Sequence, residues 1–371
     1  MLDVFKVADL LVAHTIQTHG DEVDLVAYYG SYAKGTATSR SDLDIFYAPA
    51  EGKNPPVART FMVEGILFDF WAVGWERLEA WATGRNGGWA SFTGIVHHAK
   101  VLHARSEEQT ARFAKLKERT LDLLKPEARP QMIRRALGEF KSVLTYLGNL
   151  RLAAGDGDLA DIRYVGWKVI LAVRECLSLA NQTLLDQGRM SFLEQLSLLQ
   201  ARPAELEQLI VTISLSDDPA QITTAAEHLA LDTRAILLQF QKTLPSQQTV
   251  QERFRENYPE IKAGLEKVLS ACERGRLVDA SLAAWSAQSD LSLMLSELRE
   301  GSGHPEFNLY SEFASLYWEI GLPELMRYSG DNMTELSEQA RALDVRVRQW
   351  LTEYSVNLRE FATLGEYERS L

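Results

Sequence analysis

Two carboxylates separated by one apolar residue, Asp42 and Asp44, are the side chains of this sequence that are best placed for chemistry. The apolar run 43–47 predicts a strand, and residues two apart on a strand point to the same face. Their Cα atoms are then about 6–7 Å apart. Two like charges at that separation repel unless a cation lies between them. A hard divalent cation with oxygen ligands, Mg²⁺ most readily, is the natural occupant.

A small-residue turn, Gly30-Ser31, precedes this pair and follows the apolar run 25–29. Such a turn offers backbone N–H groups and a hydroxyl to an anion, and glycine lets the backbone approach a phosphate closely. A phosphate on one side and a metal ion on the other is the arrangement for chemistry on a nucleoside triphosphate. The turn and the two carboxylates together therefore predict a nucleotide site.

A third acid, Asp69, lies in the middle of the apolar run 65–72. A carboxylate in such a run is costly unless it is paired or liganded. We interpret Asp69 as a third metal ligand, on a strand beside the one that carries Asp42 and Asp44. The alternative is an acid on an edge strand that faces water.

The stretch from Tyr28 to Phe46 resembles the motif of the nucleotidyltransferase superfamily (polymerase beta-like). That motif is an apolar residue, Gly-Ser, a gap that is ten residues long here, and Asp-x-Asp. The sequence is most similar to kanamycin nucleotidyltransferase-like proteins. The resemblance spans residues 10–185; it is specific in the first domain and looser in the second.

The resemblance implies nucleotidyl transfer, in which a substrate hydroxyl attacks the α-phosphorus of a nucleoside triphosphate and pyrophosphate leaves. ATP is the expected nucleotide and two Mg²⁺ ions are the expected metals. Asp42 and Asp44 would hold the metal that bridges the triphosphate. Asp69 would hold a second metal nearer the attacking oxygen, as in two-metal sites.

The resemblance also implies a binding role for the Gly-Ser turn. Gly30 lets the backbone approach the phosphates, and the hydroxyl and N–H of Ser31 would bind them. Lys34 and Arg40 are candidates for added positive charge there. Each of these two cations fits the description of a solvated surface residue equally well.

The general base is where the sequence departs from the family. The family segment Glu-Tyr-Ala-Gly-Lys-Trp-Arg supplies the base through its glutamate, but the matching run 145–151 begins with Thr145. A threonine hydroxyl cannot accept a proton as a carboxylate does. Another acid, Glu139 or Glu175, metal activation alone, or a different substrate would have to compensate. Both acids also fit a surface or helix-pairing role.

The elements that must position these residues form an α+β protein. Its 371 residues suggest two or three domains. We predict a nucleotidyltransferase domain with a small mixed sheet at 1–125, a helical substrate-binding domain at 126–215 and an additional C-terminal helical domain at 216–371. Strands are expected at 25–29, 43–47, 65–72 and 100–103, and helices at 3–19, 31–34, 75–83, 106–124 and throughout the chain after 130.

Composition narrows the choice of partners. The net charge of −12 argues against nucleic acid, which requires a basic footprint, and it suits a cationic small substrate. No apolar run approaches the ~18 residues of a membrane helix, so we expect no membrane partner. Cys176 and Cys272 lack metal-type spacing and predict thiols in a reducing compartment. The N-terminus does not resemble a signal peptide, and we expect a cytoplasmic protein.

Two other functions stay open at this stage. One is a regulatory or antitoxin-like transferase that modifies or binds a partner protein. The other is a nucleotide-binding sensor with weakened catalysis, which Thr145 makes conceivable. The acceptor molecule is not identified by the sequence, and assembly into a homodimer is left open.

Overall fold

The computed structural model of the chain describes residues 2–85, 88–185, 190–245, 248–255, 257–300, 306–327, 332–369 and 371. The chain divides into two units, Met1–Phe240 and Gln241–Leu371. A small mixed sheet lies in the first unit and is followed by helices, which confirms the predicted α+β class. The domain boundaries proposed at 125 and 215 remain predictions.

The secondary structure follows the order expected from the sequence. The strands are β1 Val23–Tyr28, β2 Leu43–Pro49, β3 Arg59–Val63, β4 Ile66–Ala72 and β5 Lys100–Ala104. The helices up to the middle of the chain are α1 Val4–His19, α2 Gly30–Lys34, α3 Trp75–Ala82, α4 Thr93–His98, α5 Glu107–Leu123, α6 Arg129–Asp156, α7 Leu159–Ala180, α8 Phe192–Ser197, α9 Leu206–Leu215 and α10 Pro219–Gln241. The helices that follow are α11 Val250–Phe254, α12 Tyr258–Glu273, α13 Leu277–Glu300, α14 Tyr310–Phe313, α15 Ser315–Glu319, α16 Met333–Glu353 and α17 Leu364–Glu368.

Side-chain caps begin the helices that flank the sheet. The carboxylate of Asp3 accepts hydrogen bonds from the backbone N–H groups of Phe5 and Lys6 at the start of α1. The hydroxyl of Ser106 accepts from the N–H of Gln109 at the start of α5. Such caps satisfy backbone donors that have no partner within the helix. Both helix starts were predicted from the sequence.

Strand β3 was missed by the sequence analysis, which expected no regular structure between β2 and β4. A two-residue turn, Glu64-Gly65, connects β3 to β4, and both turn residues have positive φ angles of 48° and 80°. Tight hairpin turns of this kind require left-handed backbone at both positions. The residues of β3 are exposed or half-exposed because it forms one edge of the sheet, so no buried apolar run marks it as a strand.

The sheet order is β3-β4-β2-β1-β5. Strands β2 and β4 are parallel, and every other neighbouring pair is antiparallel. The parallel pairing sets Asp44 directly opposite Asp69. This register is the feature of the fold that brings the predicted acids together.

The two faces of the sheet pack against different helices. On one face, Phe46 and its neighbours pack against α3, α4 and α5, through Leu78, Val96 and Phe113 among others. On the opposite face, side chains such as Ile45 pack against α1. Because strand residues alternate, Asp44 and Asp69 lie on the face covered by α3, α4 and α5, which we call the acidic face.

The second unit has a core of its own. Helices α12, α13 and α16 bury a continuous apolar cluster that includes Tyr258 and Tyr317. Gln288 is fully buried there. Its carbonyl oxygen accepts hydrogen bonds from the backbone N–H groups of Leu325 and Met326, which satisfies a polar side chain inside the core. In the described part of the chain, no helix is both long enough and apolar enough to cross a bilayer.

Close packing around α7 yields the first testable prediction. A Cβ added to Gly166 would lie 2.9 Å from the Cγ2 methyl of Ile213, which is fixed close to the backbone of α9. Gly148, on the exposed side of α6, would meet nothing within 4 Å. We expect Gly166→Ala to lower the free energy of unfolding by about 1–3 kcal/mol through overpacking, and Gly148→Ala to raise it by about 0.5–1 kcal/mol through helix propensity.

Denaturant unfolding followed by circular dichroism measures both changes. The matched substitutions differ mainly in the space around the new methyl group. Equal stability of the two variants would contradict the packing described for Gly166.

Candidate active site

The backbone of three strands fixes the positions of the central acids. Asp44 lies on β2, which has β1 on one side and β4 on the other, and its carbonyl oxygen accepts a hydrogen bond of 3.0 Å from the N–H of Tyr29. Asp69 lies opposite it on β4. Thr60, on β3, donates a 2.7 Å hydrogen bond from its hydroxyl to Oδ1 of Asp69. The third acid, Asp42, lies just before β2.

The turn at Gly30 lies directly against the carboxylate of Asp44. A Cβ built on Gly30 would lie 2.5 Å from Oδ2 of Asp44, and the φ angle of Gly30 is +72°. Both facts exclude a larger residue, since left-handed backbone and this close approach require glycine. The Gly30 turn and the carboxylate of Asp44 therefore lie in direct contact.

Repulsion among the acids appears in the titration of Asp44. Burial, followed by the charges of Asp42 and Asp69, raises the pKa of Asp44 from 3.8 to about 6, while the charge of Lys34 opposes the rise. The charges of Asp42 and Asp69 therefore both act on the ionisation of Asp44. A cation bound among them would favour their charged forms.

The hydroxyl of Ser31 has no partner among the residues that the structure describes. Its Oγ atom is buried and makes no hydrogen bond among the described residues. The carbonyl oxygen of the same residue accepts from the N–H of Thr36, which holds the turn in place. A buried hydroxyl without a partner costs free energy unless a ligand or water completes it. Its place beside Gly30 fits an anion contact.

The two predicted cations differ in their surroundings. Lys34 ends α2 and is close enough to Asp44 to lower its pKa. Arg40 lies in an exposed turn, where its N–H donates to the hydroxyl of Thr38, and it makes no ion pair with the residues that the structure describes. Of the two, Lys34 is the one that the fold brings to the acids.

The chemistry of the donor set fits a hard divalent cation, since three carboxylates lie close together and one carries a raised pKa. Within the described ranges, however, no group of three His, Cys, Asp or Glu side chains is arranged as a ready metal site. Oδ1 of Asp69 accepts the hydrogen bond from Thr60. Asp42, Asp44 and Asp69 are therefore neighbours whose side chains do not converge on one point.

Neither acid considered as a general base is arranged as an obvious one. Glu175 on α7 is buried, and its two carboxylate oxygens accept hydrogen bonds of 2.8 Å from the N–H groups of Trp89 and Ala90. Burial raises the pKa of Glu175, while those two N–H groups lower it. The residue anchors the segment before α4 to the helical domain. Glu139 is half-buried on α6, and its charge adds to the rise at Glu175.

The residue at the position of the family base is Thr145 on α6. It is exposed, and its hydroxyl donates a 2.9 Å hydrogen bond to the carbonyl oxygen of Lys141, one turn earlier. This hydroxyl is engaged by the helix itself.

Two aromatic residues beside the acids, Tyr29 and Trp71, were not predicted from the sequence as residues of the site. The indole N–H of Trp71 donates a 3.1 Å hydrogen bond to the hydroxyl of Tyr29, and the ring centroids are 6.4 Å apart. Trp71 lies two residues after Asp69, on the same face of β4. This spacing of two residues from Asp69 is the sequence signal that could have identified Trp71.

The first unit combines a mixed sheet, in which Asp44 lies opposite Asp69 beside the Gly30 turn, with a run of helices. Residues 110–242 match the model of the KNTase C-terminal domain family, and this segment runs from α5 through α10. The match confirms the predicted resemblance to kanamycin nucleotidyltransferase-like proteins.

Other comparisons are more distant. A nucleotidyltransferase-like protein from Exiguobacterium sibiricum 255-15, known from a crystal structure, is 12% identical with a TM-score of 0.36. The similarity covers 71% of this chain and 91% of that one. No curated protein sequence matches the chain significantly.

The raised pKa of Asp44 predicts a pH-dependent effect of Asp44→Asn on stability. Because the folded-state pKa is about 6 against an ordinary 3.8, ionised Asp44 lowers the stability of the wild type above pH 6. We expect Asp44→Asn to be more stable than the wild type by about 1 kcal/mol there, a figure discounted for solvent screening at this partly exposed group. The difference should shrink as the pH falls from about 6 to about 4.

Metal-free chemical denaturation at several pH values tests this expectation. Asp9→Asn, an exposed substitution on α1, is the control and should show no such trend. A neutral or destabilising effect of Asp44→Asn at pH 7.5 would contradict the proposed repulsion.

The anchoring by Glu175 yields a prediction about the segment before α4. Glu175→Ala removes the acceptor of two backbone N–H groups, and we expect a loss of about 2–4 kcal/mol, since each buried donor left unpaired costs about 1–3 kcal/mol. Amide hydrogen exchange at Trp89 and Ala90 should accelerate. Glu139→Ala on the adjacent helix is the control, and an equal acceleration there would argue against the anchoring role.

Proposed function

We propose that this chain is a metal-dependent nucleotidyltransferase that moves a nucleoside monophosphate from a nucleoside triphosphate, with ATP expected, to a hydroxyl of a small molecule. One observation carries the proposal. Asp44, whose pKa is raised, lies opposite Asp69 in direct register and against the Gly30 turn. An acid pair beside a tight turn provides for a cation and for an anion together.

In the proposed mechanism, Asp42, Asp44 and Asp69 would hold Mg²⁺. Bound Mg²⁺ would neutralise charge that develops on the phosphoryl oxygens and would lower the pKa of the attacking hydroxyl. The buried hydroxyl of Ser31, which has no described partner, would donate to a phosphate oxygen. Lys34 would add positive charge near Asp44. The protein contributes mainly by positioning and by preorganised charge.

The acceptor is proposed to be a cationic hydroxylated molecule, with aminoglycoside-like compounds as candidates. The net charge of −12 favours the approach of a cation. The match of residues 110–242 to the KNTase C-terminal domain family supports the same choice.

A second candidate function is a nucleotide-binding sensor with weakened catalysis. The observation that favours it is the engagement of the Thr145 hydroxyl by the helix backbone, at the position where the family has its base. In that case the acid pair and the turn would still bind nucleotide, but transfer would be slow.

Nucleotide binding and turnover separate these candidates. MgATP should raise the melting temperature of the wild type, by an amount equivalent to about 2.7 kcal/mol at a hundredfold excess over Kd. Asp44→Asn should lose most of that shift, because the metal would lose a ligand. Pyrophosphate release with a panel of aminoglycosides supports the transferase, and nucleotide binding without turnover supports the sensor.

Ser31→Ala and Ser39→Ala form a matched pair for the phosphate contact. Ser31→Ala should weaken MgATP binding by about ten- to a hundredfold, because a hydrogen bond to a charged oxygen is worth about 1.5–3 kcal/mol. Ser39, in an exposed turn, should tolerate the change.

If Asp44→Asn responds to MgATP as the wild type does, the site assignment is wrong.

A further inference from the structure

Tyr29 is held rigidly between the end of β1 and the Gly-Ser turn. Its N–H donates to the carbonyl oxygen of Asp44 at 3.0 Å. Its ring contacts Phe46 and Trp71, with centroids 6.1 and 6.4 Å away. The side chain thus belongs to the acidic face, on which Asp44 and Asp69 also lie.

The oxygen of the Tyr29 hydroxyl accepts a hydrogen bond, whereas its proton has no acceptor among the described residues. Indole N–H is a donor only, so in the 3.1 Å hydrogen bond with Trp71 the oxygen of Tyr29 is the acceptor. Across the described ranges, no protein atom accepts a hydrogen bond from this hydroxyl. The phenol therefore has a donor to offer, oriented by the contact with Trp71.

Negative charge surrounds this donor. Burial and the neighbouring carboxylates, Asp44 first and then Asp69 and Asp42, raise the pKa of Tyr29, against the effect of the hydrogen bond from Trp71. The hydrogen bond from the indole of Trp71 occupies one acceptor position of the phenol oxygen and leaves the phenol proton available. The remaining capacity of the phenol is to donate a hydrogen bond.

We propose that Tyr29 is an additional ligand-binding residue, whose hydroxyl donates a hydrogen bond to a phosphoryl oxygen of the bound nucleoside triphosphate. This inference rests on the proposed function, since the phosphate is the nucleotide's. It is argued from the place of Tyr29, which directly precedes Gly30 and Ser31 and faces the acids. Trp71 acts through Tyr29 as a positioning residue, because its N–H restricts where the phenol proton can point.

The test is a calorimetric titration of MgATP into four forms of the full chain: wild type, Tyr29→Phe, Tyr28→Phe and Asp44→Asn. Tyr28 is the matched control, because it is the preceding residue, packs on the opposite face and contacts Phe5. Tyr29→Phe keeps the ring and should raise Kd about tenfold, as expected for one hydrogen bond to a charged oxygen. Tyr28→Phe should leave Kd within twofold of the wild-type value.

Two further measurements locate the contact. Mg²⁺ with inorganic triphosphate should show the same fold-loss in Tyr29→Phe, since the phosphates alone are contacted. Trp71→Phe should raise Kd less than Tyr29→Phe does, and the double variant should be no weaker than Tyr29→Phe alone, because coupled residues are not additive. A structural role alone would not produce this pattern.

The outcomes separate the inference from the function on which it rests. If Asp44→Asn abolishes binding while Tyr29→Phe binds as the wild type does, or if Tyr28→Phe loses as much as Tyr29→Phe, the inference fails and the proposed function stands. If the wild type does not bind MgATP, both are overturned. A loss confined to Tyr29→Phe and shared by inorganic triphosphate supports the assignment.

Discussion

The direct register of Asp44 and Asp69 across parallel strands is the constraint on which the rest of the site depends. Asp44 lies on a strand that is hydrogen-bonded on both sides, so its backbone cannot move away from its neighbour. Burial first, and then the charges of Asp42 and Asp69, raises the pKa of Asp44 to about 6. Holding two acids together in this way lowers the free energy of unfolding of the metal-free protein, and binding of protons or cations raises it again.

The turn at Gly30 converts this acid pair into a site with two kinds of ligand group. Glycine is required because the carboxylate of Asp44 occupies the space where a Cβ would lie. The next residue in the turn, Ser31, has a buried hydroxyl. In the proposed function, one bound group would supply a cation to the acids and an anion to the Ser31 hydroxyl, which has no partner among the described residues. A metal–triphosphate complex is such a group.

The sequence was sufficient for the parts of the site that depend on local pattern. Asp42 and Asp44 could be assigned to one face from their spacing, and Asp69 could be recognised because an acid interrupts an apolar run. Strand β3 was not predicted, since prolines precede it and its residues are half-exposed at the edge of the sheet. The contact between Thr60 and Asp69 depends on that strand and was missed with it.

Long-range contacts explain what pattern alone could not supply. Glu175 was considered as a base from its position in the chain, but its carboxylate accepts from backbone N–H groups more than eighty residues earlier. Periodicity along one helix carries no information about such a partner. The pairing of Trp71 with Tyr29 is of the same kind, since it requires β1 and β4 to be placed on either side of β2.

The first unit therefore combines Asp44 and Asp69, held opposite each other on the sheet, with helices that carry Thr145 at the position where the resemblance leads us to expect a base. Thr145 is exposed and engaged by Lys141, and Glu175 is engaged by the segment before α4. Of the acids considered as bases, Glu139 is the one whose side chain is not held by hydrogen bonds among the described residues. The alternatives stay those that the sequence left open: another acid such as Glu139, activation by the metal alone, or a different substrate. If the metal alone activates the acceptor, the acids of the sheet that hold the metal would be the main catalytic groups. The phenol of Tyr29 would then stabilise the phosphates without taking part in proton transfer.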